Sequence, residues 1–199
     1  MNLSELNIKW FRSINDLGIN HPVMNPIFEF FAEYTVLMLM MGTIVFWFTR
    51  KGKNRIMLLN AGISFVLAEI LGKLAGQLHS NNQPFAELDN VNQLINKAID
   101  NSFPSDHTIL LFSVSFSIWF FRKKQGLSWM ALAVVTAISR IGVGVHFPFD
   151  VLAGALIAMS SAFIIYWLNS KLNFSKKILS IYEKIEKMIL TQKKQSKEM

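Results

Sequence analysis

Apolar residues along this chain come in long, nearly unbroken blocks separated by short polar links. A helix that crosses a bilayer needs about 20 such residues. Blocks of that order run from about Pro26 to Thr49, Ile56 to Leu78, Thr108 to Phe121, Leu127 to about Val143, and Phe149 to Leu168. The third reaches full length only if His107 and its neighbours extend it. The first 25 residues read differently. Leu3, Leu6, Ile8, Trp10, Phe11, Ile14 and Leu17 recur at helical spacing among polar residues, which predicts an amphipathic helix lying at the interface. They lack the apolar core and small-residue cleavage site of a signal peptide. From Ser170 onward, Lys, Glu and apolar residues (Ile178, Leu179, Ile181, Ile185, Ile189, Leu190) alternate, predicting a basic helix against anionic lipid headgroups. The expected fold is therefore all-α: a polytopic membrane helical bundle of about five transmembrane helices plus an N-terminal amphipathic helix. Its expected parts are an interfacial helix (1–25), a transmembrane domain (26–169) and a basic cytoplasmic tail (170–199).

Composition agrees. Of the 199 residues, 52% are hydrophobic and 17% charged, against about 25% charged in ordinary soluble domains. There is no cysteine, which excludes a disulfide framework, a thiolate nucleophile and a Cys-ligated zinc site. The net charge of +7 could signal nucleic acid or a membrane surface, and its layout decides. Fifteen of the 20 basic residues lie in 50–55, in 122–124 and in the tail, where they are Lys171, Lys176, Lys177, Lys184, Lys187, Lys193, Lys194 and Lys197. With five spans these segments share one side, which the positive-inside rule makes the cytoplasm. The amino terminus, the loop from His79 to Asp106 and the turn at His146 then face outward. No nucleic acid partner is needed to explain the charge. The polar stretch Ser80 to Ser102 is the longest link, and links of that length are usually functional.

Two clusters can do chemistry. In the first, Asn101-Ser102-Phe103-Pro104-Ser105-Asp106-His107, the Pro-Ser-Asp run is a helix start. Unpaired N–H groups at a helix start favour an anion, Ser105 adds a hydroxyl and His107 a titratable ring. Taken alone it also reads as a simple N-cap with an interfacial histidine. The second runs from Ser139-Arg140 through Gly142, Gly144 and His146 to Pro148 and Asp150. Arg140 ends an apolar span, where a lone charge is expensive, and a phosphate suits its guanidinium fork. Gly142 and Gly144 let backbone approach a ligand closely. Pro148 can open a helix. His146 and Asp150 are one helical turn apart, so the carboxylate can fix the imidazole tautomer. An Arg140–Asp150 salt bridge is the plainer alternative.

Together, Pro104-Ser105-Asp106-His107 and Ser139-Arg140-x5-His146-x3-Asp150 resemble the second and third signature motifs of the type 2 phosphatidic acid phosphatase family. The flanking Phe103, Thr108, Gly144 and Phe147-Pro148, with Glu33-Tyr34, are similar to its bacitracin-resistance type of undecaprenyl-diphosphatase. The resemblance implies a haloperoxidase-like helical bundle and a phosphatase that needs no metal or cofactor. His146 would be the nucleophile, Asp150 its orienting carboxylate and His107 the proton donor and acceptor. Arg140, Ser105 and Ser139 would hold phosphate. The family's first motif, Lys-x6-Arg-Pro, is altered: Gln83-Pro84-Phe85 stands where Arg-Pro-Phe is expected, and Lys73 lies ten residues before Gln83 rather than seven. Lys73 and Gln83 are the candidate replacements, with a Lys73–Glu69 helical pair as the plain alternative for the lysine. Glu29 and Glu33, also at membrane depth, are candidates to support the cations. His21 and His79 are expected at the interface, and Met38, Met40 and Met41 against lipid or in packing.

The implied substrate is a polyprenyl diphosphate, cleaved to undecaprenyl phosphate for reuse in cell-wall synthesis. The same chemistry on phosphatidate or phosphatidylglycerol phosphate, or a non-catalytic protein that binds anionic lipid, are the alternatives.

Overall fold

The computed structural model describes residues 2–198, with side chains up to residue 189; Leu190, Lys193, Lys194 and Lys197 of the tail pattern are outside the described side chains. The elements formed by the described residues are all helices, with no strand among the described residues. In chain order the helices are α1 (Leu3–Asn20), α2 (Asn25–Phe48, after a 3-10 turn at Pro22–Met24), α3 (Gly52–Leu78) and α4 (Pro84–Glu87). There follow α5 (Asp106–Phe121), α6 (Lys123–Gly142), α7 (Pro148–Leu172) and α8 (Phe174–Glu198). Each apolar block of the sequence is thus one helix.

Three segments are long and apolar enough to cross a membrane: Pro22–Phe48, Gly52–Leu78 and Pro148–Leu172. α5 is apolar but has 16 residues, a rise of about 24 Å against a hydrocarbon core of about 30 Å. α6 has the length but carries Lys123, Lys124 and Arg140 at its ends. Leu37, Met38, Met40, Met41, Ile44 and Val45 are all exposed on α2. So broad an apolar surface suits lipid rather than water.

Small residues bring the central helices together. On α7, Gly154, Ala155, Ala158, Ser161 and Ala162 are buried, as is usual where membrane helices pack closely. A Cβ at Gly154 would stand 2.9 Å from the Ser105 carbonyl oxygen, and one at Gly72 would stand 2.6 Å from Ile109. The start of α5 is thereby pressed between the end of α3 and the start of α7. At the same end of the bundle, a Cβ at Gly142 would stand 2.7 Å from the Phe28 ring of α2. Five helix ends therefore meet around one point: those of α2, α3, α5, α6 and α7.

α1 closes that end. Its capping box pairs Asn2 Oδ1 with the Glu5 N–H at 2.8 Å and Glu5 Oε2 with the Asn2 N–H at 3.2 Å. It is amphipathic as expected; Phe11 docks on protein, while Leu3, Trp10 and Leu17 stay exposed. Phe11 is buried against Phe147, with ring centroids 5.5 Å apart. Asn15 is also buried: its amide donates to the Gly142 carbonyl at 2.9 Å and the Asn92 carbonyl at 3.1 Å, and its oxygen accepts the Asn92 N–H at 2.9 Å. One side chain thus ties α1, the end of α6 and the long loop together.

The opposite end is held by charge. Arg122 donates to Asn54 Oδ1 at 2.7 and 3.0 Å. Arg55 is buried on α3 and pairs with Glu186 at 3.3 Å and Glu183 at 3.7 Å, both on α8. α8 folds back on the bundle through these pairs, through buried Leu179, and through Ser175, which accepts from Asn60 at 3.0 Å.

Candidate active site

The residues of the second and third motifs lie where the five helix ends meet. His146 lies in the turn between α6 and α7, and burial takes it almost wholly out of solvent. Its Nδ1 is 3.0 Å from the Ser102 carbonyl oxygen. A carbonyl only accepts, so Nδ1 carries the proton and Nε2 holds the lone pair. Burial pushes this imidazole below its ordinary pKa, while Asp150 pulls it back up.

The sequence gives Asp150 the task of fixing the tautomer. The structure assigns that bond to the Ser102 backbone, with Asp150 Oδ2 3.8 Å from Nδ1. Asp150 instead fixes the surroundings. Its Oδ2 accepts from the Ser102 hydroxyl at 2.8 Å and from the Phe147 N–H at 2.8 Å, which caps α7. Its Oδ1 faces Asn81 Nδ2 at 3.4 Å. Asn81 also donates to the Ser102 hydroxyl at 2.8 Å. Asp150 is therefore a buried anion beside the ring, held by neighbours from the loop and from α7. Pro148 opens α7, as its position in the motif suggests.

Ser105 is the N-cap of α5 and is fully buried. Its N–H donates to the Asp150 carbonyl at 3.1 Å, and its hydroxyl lies 3.1 Å from Thr108 Oγ1. The N–H of Ser105 is thus engaged, and the helix-start donors are those of Asp106, His107 and Thr108. His107 sits in that first turn, partly exposed, near enough to His146 that a charge on one ring would act on the other.

Arg140 is 4% exposed on α6. Its one hydrogen bond, to the Ala32 carbonyl, is long at 3.5 Å, and its Nε has no partner. The carboxylates that act on it are Glu33 and Asp106 rather than Asp150, so the expected alternative of an Arg140–Asp150 bridge does not form. This buried guanidinium therefore keeps most of its donors unengaged among the described residues. Ser139, its neighbour, is buried beside it.

The two first-motif candidates part company. Lys73 is exposed on α3, and its charge acts on Glu69, the helical neighbour. Gln83 is fully buried, and both ends of its amide are occupied. Nε2 donates to Asp100 Oδ1 and to the Ala98 carbonyl at 3.3 Å, and Oε1 accepts the Asp100 N–H at 3.1 Å. It is an anchor of the loop, and the expectation that it donates to phosphate is corrected on that ground.

The glycine expectation also changes. Gly144 has φ +84°, and a Cβ there would stand 2.8 Å from Val91 and 2.9 Å from the Asn92 carbonyl oxygen. Gly142 abuts Phe28. These glycines admit the loop and α2, not a ligand, and so set the turn that presents His146. The pattern missed two contributors. One is the Ser102 carbonyl, which as a backbone group leaves no signature in sequence. The other is Lys97, whose charge reaches both His107 and His146. Its sequence signal was its isolation, as a cation outside the three basic segments.

Residues 57–174 match the family model described as PAP2 superfamily. The chain is 54% identical over 196 residues to the bacitracin transport permease protein BcrC of Bacillus licheniformis, covering 98% of this chain and 97% of that one. It is 29% identical to undecaprenyl-diphosphatase BcrC of Bacillus subtilis (strain 168), covering 90% of this chain and 93% of that one. Among solved structures, Aquifex aeolicus LpxE superposes with a TM-score of 0.69 at 28% identity, over 81% of this chain and 94% of that chain. The expected fold class stands, and with the model matching well over half its length the chain belongs to the PAP2 superfamily.

Proposed function

We propose that this chain hydrolyses undecaprenyl diphosphate to undecaprenyl phosphate and phosphate in a bacterial plasma membrane, returning the lipid carrier to cell-wall synthesis and thereby conferring resistance to bacitracin. The observation that carries this reading is the under-coordinated, buried Arg140 beside two imidazoles and a helix start. The names of the relatives supply the substrate.

The reaction has two steps. The Nε2 lone pair of His146 forms a bond to the terminal phosphorus as the bridging P–O bond breaks. His107 gives its proton to the leaving oxygen of undecaprenyl phosphate. His107 then takes a proton from water, whose oxygen attacks the phosphohistidine. The N–P bond breaks, phosphate leaves, and the electron pair returns to Nε2. Asp150 stabilises the positive charge that the ring carries in between. Arg140 and the donors at the start of α5, with Ser105, hold the equatorial oxygens.

On this reading α2, α3, α5, α6 and α7 all cross, so that 50–55, 122–124 and α8 lie in the cytoplasm and the site on the outer side, where the diphosphate head group lies. Exposed Lys176, Lys177 and Lys184 of α8 then face anionic headgroups, while Glu183 and Glu186 turn to Arg55.

Purified protein in detergent, with a chelator present, should release phosphate from undecaprenyl diphosphate, and His146→Ala should not. Phosphate release by that variant at the parental rate would remove the nucleophile. The same pair separates hydrolysis from the transport that the first relative's name describes. A cysteine placed at Asn82 should react with impermeant reagents from outside; protection there would reverse the topology.

A further inference from the structure

Five basic residues lie outside the three basic segments: Lys9, Arg12, Lys73, Lys97 and Arg140. Lys9 is exposed on α1. Arg12 donates to the carbonyls of Asp89 and Asn90 at 2.6 and 3.0 Å. Lys73 acts on Glu69. That leaves Arg140 and Lys97, and these are the two cations whose fields reach both His107 and His146.

The position of Lys97 is built, not incidental. Leu94 and Ile95, just before it, pack on Phe28, Ala32, Val143 and Val145, the residues around the Arg140 and His146 supports. The Leu94 N–H donates to the Val143 carbonyl at 3.3 Å. On the other side, Lys97 Nζ is 3.4 Å from Asp100 Oδ1. Asp100 is in turn gripped at backbone and side chain by buried Gln83. A neutral Gln at position 83 can clasp Asp100 at both ends of its amide, which leaves the carboxylate charge for Lys97.

A phosphate group carries more than one negative charge near neutral pH, and Arg140 supplies one positive charge. We propose that Lys97 binds the terminal phosphate of the substrate opposite Arg140, aimed by the Gln83–Asp100 clasp. This rests on the phosphatase reading for its substrate, but the binding of phosphate can be tested without turnover.

In detergent, Lys97→Met keeps the aliphatic stem and removes the charge. KM for undecaprenyl diphosphate should rise about tenfold to a hundredfold, with a smaller change in kcat. Lys97→Arg should recover most of the loss, and Asp100→Asn should show part of it. Binding of inorganic phosphate, followed by calorimetry, should weaken in step. Thermal midpoints identify any variant that merely loosens the loop, and in that case Lys97→Gln against Lys97→Arg decides. Equal KM and equal phosphate binding in that pair overturn the proposal while leaving the phosphatase reading intact. Conversely, phosphate binding that depends on Lys97 in a protein that hydrolyses no lipid diphosphate would retain the site and remove the substrate.

Discussion

Asp150→Asn is the sharpest test of how the site works, because it changes one charge and almost no volume. Asp150 Oδ2 is 3.8 Å from His146 Nδ1, and both side chains are 4% exposed or less. Solvent screening is therefore weak. Two unit charges at that range interact by about 4 kcal/mol at an effective dielectric constant of about 20. The ring is neutral in the resting site and positive in the phosphohistidine, so the charge matters along the reaction and not before it. Losing it should slow the chemical step by about a thousandfold. Fold stability should suffer less. The Asn oxygen can still accept both the Phe147 N–H and the Ser102 hydroxyl that Oδ2 holds at 2.8 Å, and the new amide takes the place of Oδ1, where it meets only the weak 3.4 Å contact of Asn81 Nδ2. The expected cost is about 1–3 kcal/mol, or several degrees in the thermal midpoint at about 2–4 °C per kcal/mol. The ring itself keeps its tautomer, because Ser102 holds Nδ1 through the main chain. KM should stay close to its parental value. The assay is phosphate release at saturating substrate, beside a thermal melt in the same detergent. A kcat within tenfold of the parent would refute the idea that Asp150 is the countercharge of the phosphohistidine.

Gly144→Ala forces a Cβ into left-handed backbone at φ +84° and against Val91 and Asn92; we expect a loss of about 1–3 kcal/mol in a thermal melt, with activity falling in parallel because the His146 turn shifts. Arg55→Ala leaves Glu183 and Glu186 without their buried partner; α8 should become sensitive to limited proteolysis while kcat/KM holds, since these pairs lie at the end remote from His146. Burial lowers the His146 pKa, and only the neutral ring attacks. The acid limb of kcat/KM, corrected for substrate ionisation, should therefore fall below pH ~6.5, the ordinary histidine value; a limb above it would contradict the buried, neutral nucleophile.

The helices were legible because the bilayer asks only for length and apolarity, and both are local properties. The expected span from Ile56 begins a turn early, at Gly52, because Lys51 to Arg55 can be helical once Arg55 has partners on α8. Those partners lie more than a hundred residues away, and no local pattern names them. The same limit explains α1. Its apolar stripe was plain, but whether the stripe meets lipid or protein depends on Asn15 finding Gly142 and Asn92 across the fold. The catalytic motifs were legible because histidine, arginine and aspartate must stand at fixed offsets when one turn and one helix start present them. What orients the His146 ring was not legible, since a carbonyl belongs to every residue.

The first-motif region shows why a substitution in a motif is best judged together with its contacts. From sequence, Gln83 reads as an arginine weakened to a neutral donor. In the fold it gives no donor to the site at all, because its amide is consumed by Ala98 and Asp100. A lost cation alone would leave Arg140 to balance the phosphate by itself, in a buried setting where charge balance matters most. The clasp instead holds an aspartate that faces Lys97 at 3.4 Å. On the Lys97 proposal, the charge that a neutral residue at position 83 does not supply comes from position 97 instead. This makes a specific demand: Gln83→Arg should not improve the enzyme. It would set a long cation in a fully buried slot, break the clasp on Asp100 and release Lys97. Raised KM and a lower thermal midpoint are the expected outcome in the detergent assay. A lower KM would mean that position 83 addresses the phosphate directly, and that the loop and Lys97 play no part in holding it.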